Sequence, residues 1–132
     1  ALERAAKSLD GWFPNGPDAK RWGEQWRDVQ AMARAAGREP GTPVAALYLT
    51  LAVDENAQKA EARMDDFLSA YYGQRPDVMK KRQACFSGSA AAAADWLNGY
   101  VQEGAQYLVL RFAGDHERHL ETFAKLREAL VA

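Results

Sequence analysis

Tyr107-Leu108-Val109-Leu110-Arg111-Phe112 is the stretch on which the reading of this chain turns. It is apolar apart from Arg111, is introduced by Gly104 and ends in Ala113-Gly114-Asp115. A run this short and this apolar predicts a strand buried on both faces, the kind that occupies a parallel sheet. Downstream, Leu120, Phe123, Ala124, Leu126, Leu130 and Val131 fall at helical spacing between His116 and Val131, so the last helix is expected to fold back over that strand. Strand plus covering helix makes a βα unit. In such units ligands gather at the carboxyl end of the strand, which makes Arg111 and the Ala113-Gly114-Asp115 turn the first functional candidates.

The rest of the composition sets bounds. With 132 residues, 48% of them hydrophobic, the chain can bury one ordinary core and does not need two, so a single domain over 1–132 is expected. Seventeen basic side chains against eighteen acidic ones leave no overall field to draw the protein onto nucleic acid or an anionic membrane. A lone cysteine, Cys85, cannot form an internal disulfide. With no stretch that reads as a signal peptide or membrane span, the expected location is the cytoplasm. The first residue is Ala1, inside what reads as the last turns of a helix, so the chain is expected to be a truncated piece.

Working outward from the opening stretch, the chain alternates strand and helix. Leu2 to Leu9 has the pattern of amphipathic helical turns, and Asp10-Gly11-Trp12-Phe13-Pro14 reads as a short strand closed by the turn Pro14-Asn15-Gly16-Pro17. Asp18 can start a long helix to about Ala36, with Trp22, Trp26, Val29, Met32 and Ala33 on one stripe and Gly37 ending it. Val44 to Val53 is a second continuous apolar run, expected as a central strand. Asp54-Glu55-Asn56 can cap a helix to about Tyr71, stopped by Tyr71-Tyr72-Gly73, and Pro76 to Ala84 adds one or two turns. Cys85-Phe86-Ser87-Gly88-Ser89 reads as a small-residue loop before a helix from about Ala90 to Glu103. Three strands joined by long helical connections predict parallel, right-handed crossovers. Such a sheet has bare edges, so it should join further strands or pair with a second copy.

Four phrases, in order, carry a resemblance that spans the whole chain: Leu9-Asp10-Gly11-Trp12-Phe13-Pro14, Ala36-Gly37-Arg38-Glu39-Pro40, Tyr71-Tyr72-Gly73 and Gly104-Ala105-Gln106-Tyr107-Leu108-Val109-Leu110-Arg111. They resemble the carboxyl-terminal part of luciferase-like monooxygenases. The resemblance implies an α/β fold whose parallel βα units form about half of a (β/α)8 TIM barrel, since a whole barrel needs roughly 250 residues. It also implies an oxidoreductase that uses FMN or the deazaflavin coenzyme F-420 to move hydride to or from a small organic substrate, or to carry out monooxygenation. Most catalytic side chains, much of the isoalloxazine pocket and a paired-glycine phosphate contact would come from earlier strands. This piece alone is therefore expected to lack turnover and catalytic residues, and its partner would be the remaining half of the barrel or a second copy. The alternative is a non-catalytic α/β half-barrel that closes its sheet by homodimerisation.

Each candidate site has a bland counterpart. Trp12 and Asn15 lie where the resemblance implies substrate contact, though from the residues alone Trp12 and Phe13 read more simply as core aromatics. Ser87-Gly88-Ser89 offers amides and hydroxyls to a coenzyme phosphate at a helix amino terminus, or is an ordinary cap; it lacks the Gly-Lys-Ser/Thr ending of a P-loop. Arg111 interrupts an apolar strand and needs a partner, either an acid such as Asp115 or Glu117, or the substrate or anionic tail of the coenzyme. His116 and His119 with Asp115 lack a third convergent ligand, so no metal is expected. Cys85 reads as a small packed residue, and Lys80-Lys81-Arg82 as solvated surface.

Overall fold

The computed structural model describes residues 1–16 and 18–131, with the backbone alone for Ala129 and Val131. Pro17, the last residue of the expected turn, lies outside the described residues, as does the side chain of Val131 expected on the last helix's apolar stripe. The elements follow as α1 (Leu2–Ser8), β1 (Gly11–Trp12), α2 (Ala19–Ala35), β2 (Val44–Val53), α3 (Ala57–Tyr72), α4 (Pro76–Arg82), β3 (Cys85–Gly88), α5 (Ala90–Gln102), β4 (Tyr107–Phe112) and α6 (His116–Val131). Local chemistry sets the helix ends. Asp18 caps α2 by accepting the Arg21 N–H, and Asn56 caps α3 by accepting the Lys59 N–H. Gly73 ends α3 at φ 60°, a left-handed conformation that glycine adopts without a Cβ penalty.

All the strands are parallel, and β2 is their axis. On one side it pairs with β1 at Val44 and Ala45 and, further along, with β3 at Thr50 to Val53. The chain leaving β1 bridges the gap, because Pro14 O accepts from Tyr48 N and Asn15 O accepts from Ala84 N at the start of β3. On its other side β2 pairs with β4, from Ala46 with Tyr107 to Leu51 with Phe112. Leaving out the four-residue β3, the strands are neighbours in chain order, β1, β2, β4. The expected loop at Cys85 to Gly88 is thus a strand; nothing local makes it one, and its pairing with Ala52 and its neighbours does.

The core lies on one face of the sheet. Ala45, Leu47, Leu49 and Leu51 of β2 are fully buried there, packed with Trp22 and Trp26 of α2, Leu97 and Tyr100 of α5, and Phe123 of α6. Trp12, Trp22 and Trp26 stack mutually, with centroids 5.4 Å apart for Trp12 and Trp22, 6.1 Å for Trp12 and Trp26, and 6.3 Å for Trp22 and Trp26. Gly104 makes room for this packing: it has φ 104°, and a Cβ there would sit 3.2 Å from the Trp26 indole nitrogen.

Two expectations for the carboxyl end are corrected. β4 is not buried on both faces, because Tyr107 is 60% and Val109 44% exposed. Among the described residues its only strand partner is β2, and on its second face α3 reaches Arg111 but not Tyr107 or Val109. The last helix also covers it incompletely. Phe123 stacks on Phe112 at 5.2 Å, but Leu120 is exposed and an apolar groove of about 760 Å³ runs between Leu108, Leu110 and Phe112 on one wall and Leu120 and Phe123 on the other.

Candidate functional site

The alternation of side chains along β2 separates two environments. Odd-numbered residues enter the helix-covered core; Ala46, Tyr48, Thr50 and Ala52 face the other way. Parallel pairing puts Tyr107, Val109 and Arg111 of β4, and Cys85 and Ser87 of β3, on this second face. Helices α3 and α4 cover only its carboxyl end, where Met64, Leu68 and Met79 pack on Ala52 and Ala113. The remainder is open, with exposed Phe13 meeting the edge of Tyr48 at 6.0 Å.

Arg111 sits at the boundary between the open and the covered parts. Its cross-strand neighbour Thr50 accepts from Nη2 at 2.9 Å and from Nε at 3.3 Å, while Tyr72 and Gln83 accept from Nη2 at 2.8 and 3.2 Å. Four rings surround the guanidinium: Tyr71 at 4.8 Å, Phe67 at 5.0 Å, Tyr48 at 5.1 Å and Tyr72 at 5.4 Å from their centroids. Their quadrupoles attract the cation without neutralising it. Among the described residues no carboxylate forms an ion pair with Arg111; Asp115, one of its expected partners, pairs with Arg118 at 2.6 Å. Nη1 donates to no described group.

The other expected residues divide between the faces. Ser87 lies on the Arg111 face, and its hydroxyl donates to Glu61 at 2.5 Å. Ser89 caps α5 by accepting the Ala92 N–H at 3.2 Å, and the exposed Glu55 carboxylate accepts the Ala90 N–H at 3.4 Å. A carboxylate of the protein thus already stands at the helix amino terminus where a phosphate was expected. Asn15 is exposed and borders a polar groove of about 630 Å³ with Arg21, Lys81, Arg82 and Gln83, the last linking it to Arg111. Trp12 is buried in the tryptophan stack on the opposite, helix-covered face.

The titratable groups nearby are structural. Burial pushes the Cys85 thiol up, against the opposing pull of Arg111 and Lys80, so it stays protonated at neutral pH. His119 is buried and stacked on Phe112 at 4.9 Å; its Nε2 accepts the Val53 N–H at 2.9 Å and its Nδ1 donates to Asp115 O at 2.8 Å. Desolvation holds its pKa below the usual value. His116 is exposed, and the described residues hold no cluster of three or more His, Cys, Asp or Glu side chains suited to a metal.

Sequence reasoning missed Tyr48, Thr50, Phe67, Tyr71, Tyr72 and Gln83. The doublet Tyr71-Tyr72 was visible as the end of a helix, but its convergence on Arg111 depends on how α3 lies across the sheet. Aromatic side chains around a guanidinium with no carboxylate partner, at the carboxyl end of the sheet, have the chemistry to take a planar ring system that carries an anionic group, so the residues present fit a flavin-type coenzyme.

Comparison with known proteins places this geometry. A family model described as luciferase-like monooxygenase matches residues 1–132. A search of curated protein sequences found no significant match. Among solved structures, the chain is similar to an F-420-dependent secondary alcohol dehydrogenase in complex with an F-420–acetone adduct, at 13% identity and TM-score 0.68 over 86% of this chain and 40% of that one. It is also similar to the long-chain alkane monooxygenase LadA, at 15% identity and TM-score 0.71 over 97% of this chain and 38% of that one. DmoA from Hyphomicrobium sulfonivorans aligns at 16% identity and TM-score 0.65 over 96% of this chain and 37% of that one. The chain spans about two fifths of the length of these structures. Their likeness establishes the fold: parallel βα units forming part of a (β/α)8 barrel.

Proposed function

The chain belongs to the luciferase-like monooxygenase family, and from that premise we propose that it is the carboxyl-terminal part of a flavin- or deazaflavin-dependent oxidoreductase, with FMN or F-420 lying at the carboxyl end of its sheet, beside Arg111. The observation that carries this reading is at the carboxyl end of that sheet: Arg111, with no carboxylate partner among the described residues, lies among the rings of Tyr48, Phe67, Tyr71 and Tyr72. The coenzyme, when bound, supplies hydride or oxygen transfer to a small organic substrate. The chain's own residues bind and shield. Tyr48, Phe67, Tyr71 and Tyr72 offer aromatic surface, and Arg111 offers a cation. Asn15, on the loop after β1, contacts substrate, and Trp12 holds that loop through its stack. Ser87, Gly88 and Ser89 form a second anion contact once the exposed Glu55 swings away. The remaining barrel strands come from the rest of a longer chain or from a second copy. The enzyme works in the cytoplasm, a placement consistent with the half-buried free Cys85 and with the lack, among the described residues, of a helix long and apolar enough to cross a membrane.

The test compares the product of the complete gene with the 132-residue chain. Titration with FMN and with F-420, followed by flavin fluorescence, should show binding and turnover for the complete product and no turnover for the chain alone. Substrate oxidation by the isolated chain at ordinary enzymatic rates would overturn this division. The bare β4 edge favours a second reading, a non-catalytic module that closes its sheet by homodimerisation. A stable symmetric dimer in sedimentation, with no affinity for either coenzyme, would establish it.

A further inference from the structure

Arg111 is the cation in this molecule whose surroundings are most at odds with its charge. On the elements packed around it, the paired carboxylates are committed elsewhere: Glu61 and Asp65 to Lys80, Asp54 to Arg63 and Arg118, Asp115 to Arg118 and Asp77 to Arg75, while Asp66 of α3 is exposed and forms no ion pair with Arg111. Its acceptors are all neutral, namely a threonine hydroxyl, a phenol and an amide. These bonds use Nε and Nη2 and fix the plane of the guanidinium, so the group is held in place before any ligand arrives. One nitrogen, Nη1, is left over. A half-buried guanidinium that is positioned, ringed by aromatics and short of a counter-charge is arranged to receive one.

We propose that Arg111 binds a single oxyanion, a carboxylate or a phosphate monoester, through Nη1 at the edge of the cage formed by Tyr48, Phe67, Tyr71 and Tyr72. The proposal deepens the coenzyme reading by naming the charged group that this face recognises, and it rests on that reading only for the source of the anion. A phosphate monoester comes from FMN; a carboxylate comes from an acidic substrate or from the carboxylate tail of F-420. Exposed Tyr71, stacked on Phe67 and packed over the cation, is the side chain that must move to admit the anion.

The experiment is a titration of the isolated 132-residue chain with methyl phosphate and, separately, with acetate, following the Arg111 Nε–H resonance and the ring signals of Tyr48 and Tyr71 by NMR. A saturable shift of these signals is expected. A shift with methyl phosphate alone assigns FMN as source; one with acetate alone assigns a carboxylate, which comes from the tail of F-420 if F-420 moves the same signals in the complete gene product and from an acidic substrate if it does not. In Arg111→Lys, which keeps the charge but loses the planar fork, affinity read from the tyrosine signals should fall by about tenfold. If neither anion moves the Arg111 signal while the spectrum stays native, the proposal is overturned, whether or not Arg111→Lys folds. Unchanged anion affinity in a folded Arg111→Lys would overturn it as well. Riboflavin, which lacks the phosphate, separates the two readings when titrated into the complete gene product. Binding of riboflavin with an Arg111 indifferent to anions sinks this inference alone, and anion binding by a protein with no affinity for riboflavin, FMN or F-420 sinks the coenzyme reading alone.

Discussion

The two faces of β2 are made from the same ten residues and differ in what the chain provides for them. Facing α2 and α5, Leu47, Leu49 and Leu51 are fully buried under tryptophans. Facing the other way, Tyr48 is half-buried, and beside it on β4 Val109 stands in solvent. The first face is finished within this chain by helices that each carry one apolar stripe. The second is finished only at its carboxyl end, by α3 and α4. A barrel interior is closed by all its strands together, so a piece with three successive strands covers most of its outer layer with its own helices and leaves most of its inner one bare.

That contrast can be broken most directly by removing Trp22, which is fully buried at the centre of the stack. Trp22→Ala should cost about 3–5 kcal/mol and leave the isolated chain largely unfolded by circular dichroism. A cost near zero would mean that the helix-covered face does not hold the fold. Next comes His119, which pins α6 to the end of β2. Replacing it with alanine strands the Val53 N–H and should lower stability by about 1–3 kcal/mol in urea titrations. The wild type should also respond to acid. Because burial lowers the pKa in the folded state, the folded form holds its proton less readily than the unfolded chain, whose ordinary value is 6.5. The stability due to His119 is therefore complete above that value and drains away as pH falls below it, through the depressed folded pKa. Denaturation midpoints measured from pH 7 to pH 5 should decline, and the decline should be shallower in His119→Ala.

On the open face the expected effects are small. Val109→Asp should change the stability of the isolated chain by about 0.5 kcal/mol or less, as for an exposed edge position, yet should destabilise the complete gene product, where the remaining strands close over this face. A severe loss of stability in the isolated chain would show that something already covers this face. The smallest effect belongs to Glu55→Gln, which removes a carboxylate from the amino terminus of α5 and should cost about 0.5 kcal/mol. The same change should tighten FMN binding if Ser87 to Ser89 contacts its phosphate, and unchanged affinity would remove that contact.

Much of this architecture was readable because it is locally encoded. Asp18, Asn56 and Gly73 mark helix ends through bonds that span three or four residues, and the ten-residue run of β2 can hardly be anything but a central strand. What escaped was non-local. Cys85 to Gly88 carries only one large side chain and becomes a strand through partners more than thirty residues earlier. The exposure of Tyr107 and Val109 follows from a missing neighbour, which an apolar pattern cannot report. Arg111 was legible as an anomaly because a charge within an apolar run needs an explanation. Its cage was not, since Tyr48, Phe67, Tyr71 and Gln83 come from other parts of the chain and meet only once α3 crosses the sheet.

The central position of β2 has a consequence in time. Its first partners, Gly11 and Trp12, are made before it, whereas Arg111, the partner of Thr50, lies 61 residues downstream. Closing so long a loop costs little more free energy than closing a short one, but it delays folding. During synthesis at about 5–20 residues per second, β2 must wait roughly 3–12 s for the strand that will cover its far edge. Until then an apolar strand presents unpaired amides and carbonyls to whatever is near the ribosome. The rate of translation between α3 and β4 therefore sets how long the nascent chain stays adhesive, and slow codons in that interval would raise its need for chaperones.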